Sequence, residues 1–243
     1  MASSDPVPPS MRVHPVVHDP TDLLALDHVA LAVSDRDAMA AFLCDHLGMH
    51  ELRRTAESTV VAAEARATKL SLVAADGPTE PGALARLVLR VADFDGAVAS
   101  LHVPIEGEES APDLAAFEGP EGLGLALTPF AGGGIDYDLD RVVLRVSDPE
   151  EATIALAEWG FVPRGAALHV ADKRVTFEHG DAAAQRSLLD HLAVLVTSVD
   201  AVAAQARRRD VEIEERAQDG SFSVVLPGPE RIRLAFVEQT SAG

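Results

Sequence analysis

Four near-copies of one short pattern constrain this chain more than any other feature. Leu26-Asp27-His28-Val29-Ala30-Leu31-Ala32-Val33-Ser34-Asp35 returns as Ala85-Arg86-Leu87-Val88-Leu89-Arg90-Val91, as Asp140-Arg141-Val142-Val143-Leu144-Arg145-Val146 and as Asp190-His191-Leu192-Ala193-Val194-Leu195-Val196. Each aliphatic run precedes an Ala-rich helical pattern, so each reads as a strand feeding a helix. The steps between copies are 58, 55 and 50 residues, the spacing of one supersecondary module used four times.

Alternation along the repeated strand assigns its two faces. Val29, Leu31 and Val33 and their equivalents are all large and aliphatic, which predicts a face packed beneath the module's own helix. The opposite parity runs His28/Ala30/Ala32, Arg86/Val88/Arg90, Arg141/Val143/Arg145 and His191/Ala193/Leu195. Small apolar groups mixed with ionisable ones suit the lining of a cleft better than a dry core.

Local signals fill in the modules. Ser34 or Asp35 can cap a helix that runs to about Leu47 and stops at Gly48. Strands are predicted over 49–54, 59–66 and 69–74, so the module order is strand, helix and three strands. Further helices are predicted over 94–101, from Pro149 to Gly160, and over 199–209. Glu150 and Glu151 fall in the first turn of the third helix, where the helix dipole favours acids. The Gly-rich run 132–134 is read as a linker. It divides the chain into an N-terminal arm (1–20), a first two-module domain (21–130) and a second (136–239). Neighbouring modules are expected to pair, because sequential elements usually lie adjacent in space. The order His, Arg, Arg, His at the signature position suggests another arrangement, one with four and two with three.

The segment 27–35, followed by a helix ending in Leu47-Gly48-Met49, resembles the opening of the vicinal oxygen chelate superfamily, which includes glyoxalase I, bleomycin-resistance proteins and extradiol dioxygenases. The resemblance covers residues 26–238. It implies an α+β fold of four βαβββ modules paired into two curved mixed sheets with helices outside. It also implies a divalent metal (Zn, Fe, Mn or Ni) held by a first-strand His and a last-strand carboxylate from each of two paired modules. The first-strand positions here are His28, Arg86, Arg141 and His191, and the last-strand positions align with Ser71, Ala126, Thr176 and Arg233. Not one of these four is a carboxylate. Glu64, Glu178 or Glu238 could serve only if the register shifts. A metal normally needs about three protein ligands, so His28 and His191 form an incomplete metal set and no cofactor is expected.

Two guanidinium groups two residues apart on one strand face, as in Arg86/Arg90 and Arg141/Arg145, can grip an anion; they can equally pair with some of the 39 acidic residues. With neighbours paired, a small and perhaps acidic organic molecule is expected in a cleft lined by His28 with Arg86 and Arg90, or by His191 with Arg141 and Arg145. The alternative is a metal-dependent lyase or ring-cleavage dioxygenase. A net charge of −19 opposes binding to nucleic acid or to anionic lipid. No apolar run reaches the roughly 18 residues of a membrane span, and the single cysteine excludes a disulfide framework. A cytoplasmic monomer or homodimer is the expectation.

Overall fold

A computed structural model of the chain describes residues 22–63, 68–105, 113–132, 137–182, 184–209, 211–215 and 222–239. The expected N-terminal arm, most of the Gly-rich linker and Glu64 lie outside these residues. The first module comprises β1 (Leu23–Val33), α1 (Arg36–Leu47), β2 (His50–Arg54), β3 (Ser58–Ala63) and β4 (Thr68–Ala74). The second comprises β5 (Leu84–Val91), α2 (Phe94–Ser100), β6 (Ala115–Glu118) and β7 (Gly124–Pro129). The third comprises β8 (Tyr137–Val146), α3 (Pro149–Ala157), β9 (Val162–Arg164), β10 (Ala167–Val170) and β11 (Lys173–His179). The fourth comprises β12 (Leu189–Val196), α4 (Val199–Arg209), β13 (Ile213–Glu215), β14 (Phe222–Val225) and β15 (Arg233–Glu238). Among the described helices, none is long and apolar enough to cross a membrane.

Each helix starts for the same local reason. Two residues after the last Val of the first strand stands a capping side chain: Asp35, Asp93, Asp148 or Ser198. Asp35 accepts from the Ala38 amide, Asp93 from Gly96, Asp148 from both Glu150 and Glu151, and Ser198 from Ala201. Each cap satisfies an orphan N–H and contributes about 1 kcal/mol. Gly48 ends α1 in the left-handed conformation, at φ 59°, where a side chain would be strained. The aliphatic parity behaves as expected: Val29, Leu31 and Val33 are fully buried and share a core with Met39, Leu43 and Leu47 of α1.

The sheets correct the pairing expectation. One sheet has the order β13-β14-β15-β12-β1-β4-β3-β2, which joins modules one and four; the other runs β6-β7-β5-β8-β11-β10-β9 and joins two and three. At each centre two first strands run antiparallel, β1 with β12 and β5 with β8, each flanked by the parallel last strand of its own module.

Modules one and two, and modules three and four, do lie side by side, but through helix faces and joints rather than sheet edges. Phe42 of α1 packs on Gly119 in module two, and Trp159 after α3 packs on Phe236 of β15. The two inter-module joints also bond to each other: the Glu80 amide donates to the Arg186 carbonyl (2.9 Å) and the Leu188 amide to the Glu80 carbonyl (2.7 Å). A carboxylate locks each neighbouring pair. Glu121 accepts from the Ser34 and Asp35 amides and the Thr79 hydroxyl, and Glu230 accepts from the Ser147 amide. The two acids occupy matching places in Gly119-Pro120-Glu121 and Gly228-Pro229-Glu230.

Candidate binding site

One structural device recurs at all four signature positions. The pairing of β1 with β12 skips Asp27 and Asp190, and the pairing of β5 with β8 skips Ala85 and Asp140. Each skipped residue is a β-bulge just before the signature residue. A bulge bends the strand and re-aims a side chain that alternation would place on the opposite face. Here it brings each Asp beside the residue that follows.

In the first sheet the result is two Asp–His pairs that meet. Asp27 lies 2.8 Å from His28 Nδ1, and Asp190 lies 2.6 Å from His191 Nδ1. The two Nε2 atoms face each other at 3.2 Å, and His191 is only 8% exposed. A second ring of partners fixes the acids: Lys69 on β4 donates to Asp27, and Arg233 on β15 donates to Asp190 at 3.1 Å. Arg233 Nε also lies 2.7 Å from Glu214, close enough for ion pairing but without hydrogen-bond alignment. Burial works to raise the Asp27 pKa, yet the hydrogen bonds from His28 and Lys69 win and hold it below the usual carboxylate range. An ionised Asp27 only accepts, so its contact places a proton on His28 Nδ1, and the Nε2 contact is a hydrogen bond when one of the two facing nitrogens carries a proton.

A cleft of about 370 Å³ opens on the same sheet, with Ala32, Arg186, Asp190, Val225, Ile232 and Arg233 in its wall. It lies within the size range of small-molecule sites, and through Asp190 and Arg233 it reaches the groups that orient His191.

In the second sheet Arg86 and Arg141 replace the two histidines, and the structure separates them from His28 and His191. The expected clefts of His28 with Arg86 and Arg90, and of His191 with Arg141 and Arg145, therefore do not form. Sheet pairing brings His to His and Arg to Arg. Arg90 is bound by Asp138 and Asp172 and lies over the Phe130 ring. Arg145 bonds Glu178 through Nε and Nη2, at 2.8 and 2.7 Å. Both guanidiniums are thus committed to structural ion pairs. Arg174 binds Asp140, repeating the bulge acid and last-strand cation of modules one and four. Module two lacks both members: Ala85 fills the bulge, and opposite it Gly124 comes so close that a Cβ would lie 2.2 Å from the Ala85 carbonyl.

The last-strand register also needs one correction. Ser71, Ala126 and Thr176 pair with Ala30, Val88 and Val143, and the corresponding partner of Ala193 is Ala235, not Arg233. Arg233 instead matches Lys69 and Arg174. Carboxylates are still missing from this row. Glu178 is occupied by Arg145, and Glu238 accepts from the Val199 amide at the start of α4.

These residues meet a metal's needs only in part. An Nε2 separation of 3.2 Å suits two bonds of about 2.0–2.1 Å opened by roughly 100°, and a carboxylate on each Nδ1 is the usual support for a ligating histidine. Yet the set ends at two nitrogens, with Ser71 and Ala235 where the carboxylates would stand. Among the described residues no group of three or more His, Cys, Asp or Glu side chains is placed to hold a metal ion.

Residues 25–103 match the family model described as the Glyoxalase/Bleomycin resistance protein/Dioxygenase superfamily. The fold is similar to that of a proposed dioxygenase from Bacillus subtilis, with a TM-score of 0.70 and 12% identity over 90% of this chain and 86% of that one. It is also similar to glyoxalase I from Zea mays, with a TM-score of 0.68 and 16% identity over 88% and 92%. The cppA protein of Streptococcus pneumoniae gives a TM-score of 0.59 and 14% identity over 90% and 100%. No curated protein matches the sequence. At these identities the structural likeness carries the fold and not an activity. The matching segment covers the first module and the start of the second, and the paired βαβββ modules extend the likeness in fold, though not in activity, to the rest of the described chain.

Proposed function

We propose that the chain binds a small organic molecule in the cleft walled by Asp190 and Arg233, next to the His28–His191 pair that stands where the superfamily resemblance implies a metal. The observation that carries this reading is the 3.2 Å contact between two Asp-oriented imidazoles combined with Ser71 and Ala235 at the carboxylate positions. Asp190 and Arg233, which orient His191, supply the polar groups of the cleft wall. The adjoining cleft is large enough for the body of the molecule.

The converging Nε2 atoms favour one second reading, a divalent-metal-dependent lyase or ring-cleavage dioxygenase in which the metal would act as a Lewis acid. Calorimetric titration of untagged protein with Zn, Mn, Ni and Fe(II) separates the two. The first reading expects no tight stoichiometric binding of any of these ions. Tight one-to-one binding that disappears in His28→Ala or His191→Ala would establish the second.

A further inference from the structure

We propose that the face of the second sheet opposite α2 and α3 is an anion site in its own right, in which Arg86 and Arg141 together receive the carboxylate of a small organic acid. This inference does not rest on the reading of the first sheet. The two residues sit diagonally across the β5–β8 ladder, with Arg86 opposite Val143 and Arg141 opposite Val88. His28 and His191 are related in the same way across β1–β12. The histidines, however, bond each other, which two guanidiniums cannot do because they have donors only.

Every other cation that β5, β8 and β11 place near this face has an acidic partner: Arg90 with Asp138, Arg145 with Glu178, Lys173 with Asp138 and Arg174 with Asp140. Arg86 has no ion pair or hydrogen bond among the described residues. Glu118, two strands away on β6, makes no ion pair with it. Among the described residues Arg141 has a single ion pair, at 3.6 Å to Asp140, whose carboxylate is already held by Arg174. Partial burial and the nearby Arg174 and Arg86 charges outweigh Asp140 and press the Arg141 pKa downward. Two half-buried like charges, of which one has a shared carboxylate and the other none among the described residues, cost stability unless an anion joins them.

Beside the pair the partly exposed Leu114 and Val143 pack on a buried cluster of Val88, Ala116 and Ala126. Cations next to these two apolar side chains match a molecule with a carboxylate at one end and a hydrocarbon body at the other. The fork geometry of guanidinium suits bidentate carboxylate binding.

The test uses the full chain with benzoate and inorganic phosphate as probes, in calorimetry and thermal melts. Benzoate is expected to bind saturably and more tightly than phosphate, and Arg86→Gln or Arg141→Gln should weaken it about tenfold or more. His28→Asn should leave benzoate affinity unchanged, which separates this site from the first sheet. In the absence of anion, Arg86→Gln should raise the melting temperature by about 2–4 °C. The proposal is overturned if neither probe binds, if phosphate binds as tightly as benzoate, if benzoate binding survives both Arg substitutions, or if Arg86→Gln lowers the melting temperature.

Discussion

The two sheets carry the same scaffold and opposite site chemistry. Both centre on antiparallel first strands with bulges at equivalent places, and both bury an aliphatic face under helices. The first sheet closes on itself through Asp27–His28 and Asp190–His191, each acid anchored by a last-strand cation. The second sheet keeps that acid–cation anchor only in module three and leaves Arg86 and Arg141 facing each other's charge. Helix-side residues therefore set the fold, while the residue after each bulge sets what the opposite face can hold.

The largest expected effects probe the shared half of this comparison. Leu31→Ala in the first sheet and Leu144→Ala in the second remove fully buried side chains at equivalent positions. Each should cost about 2–5 kcal/mol in denaturant unfolding. A cost in one sheet without a comparable cost in the other would break the claim of a common scaffold.

Smaller effects test the half that differs. Asp190→Asn removes the charge and leaves one acceptor oxygen where two now serve His191 Nδ1 and Arg233, and should cost about 1–3 kcal/mol. It should also disturb the environment of His28, which no substitution at Asp140 should do. Acid sensitivity comes next. Glu121 is raised by burial, but the Thr79 hydroxyl and the Ser34 amide pull its pKa below the ordinary value, and Asp27 is lowered as described. A lowered folded-state pKa contributes stability above the unfolded value of roughly 4, and that contribution is lost as pH falls through the folded value. Melting curves of Asp27→Asn and Glu121→Gln should therefore fall less steeply than the parent below about pH 5. Equal steepness would remove these two acids from the account.

Much of the fold was legible because its signals are local. Strand parity, the caps two residues beyond each strand and Gly48 depend on a few adjacent residues, and all four helices form where the pattern places them. Module pairing was not legible, because the adjacency of neighbours is met by Phe42 on Gly119 and Trp159 on Phe236 rather than by a sheet edge. The His, Arg, Arg, His order held the correct signal, outweighed by a rule about sequential elements. The roles of Asp27 and Asp190 were hidden for another reason: strict alternation puts them on the helix side, and only the bulges turn them toward the histidines. An Asp before each His was the available sign. Arg233 was misplaced by two residues because a bulge-free strand offers no local mark of register. Likewise, Arg90 and Arg145 could not be told from Arg86 and Arg141 until Asp138, Asp172 and Glu178 had positions in space.

The central claim is that modules one and four meet in a His28–His191 contact whose outer nitrogens are both held by carboxylates. Long-range proton–nitrogen NMR of protein labelled with nitrogen-15 at histidine reads this directly near neutral pH. The account predicts protonated, hydrogen-bonded Nδ1 in both rings, and a shift of His28 Nε2 when His191 is replaced by Ala. An unprotonated Nδ1 in either ring, or a His28 spectrum indifferent to His191→Ala, would contradict it.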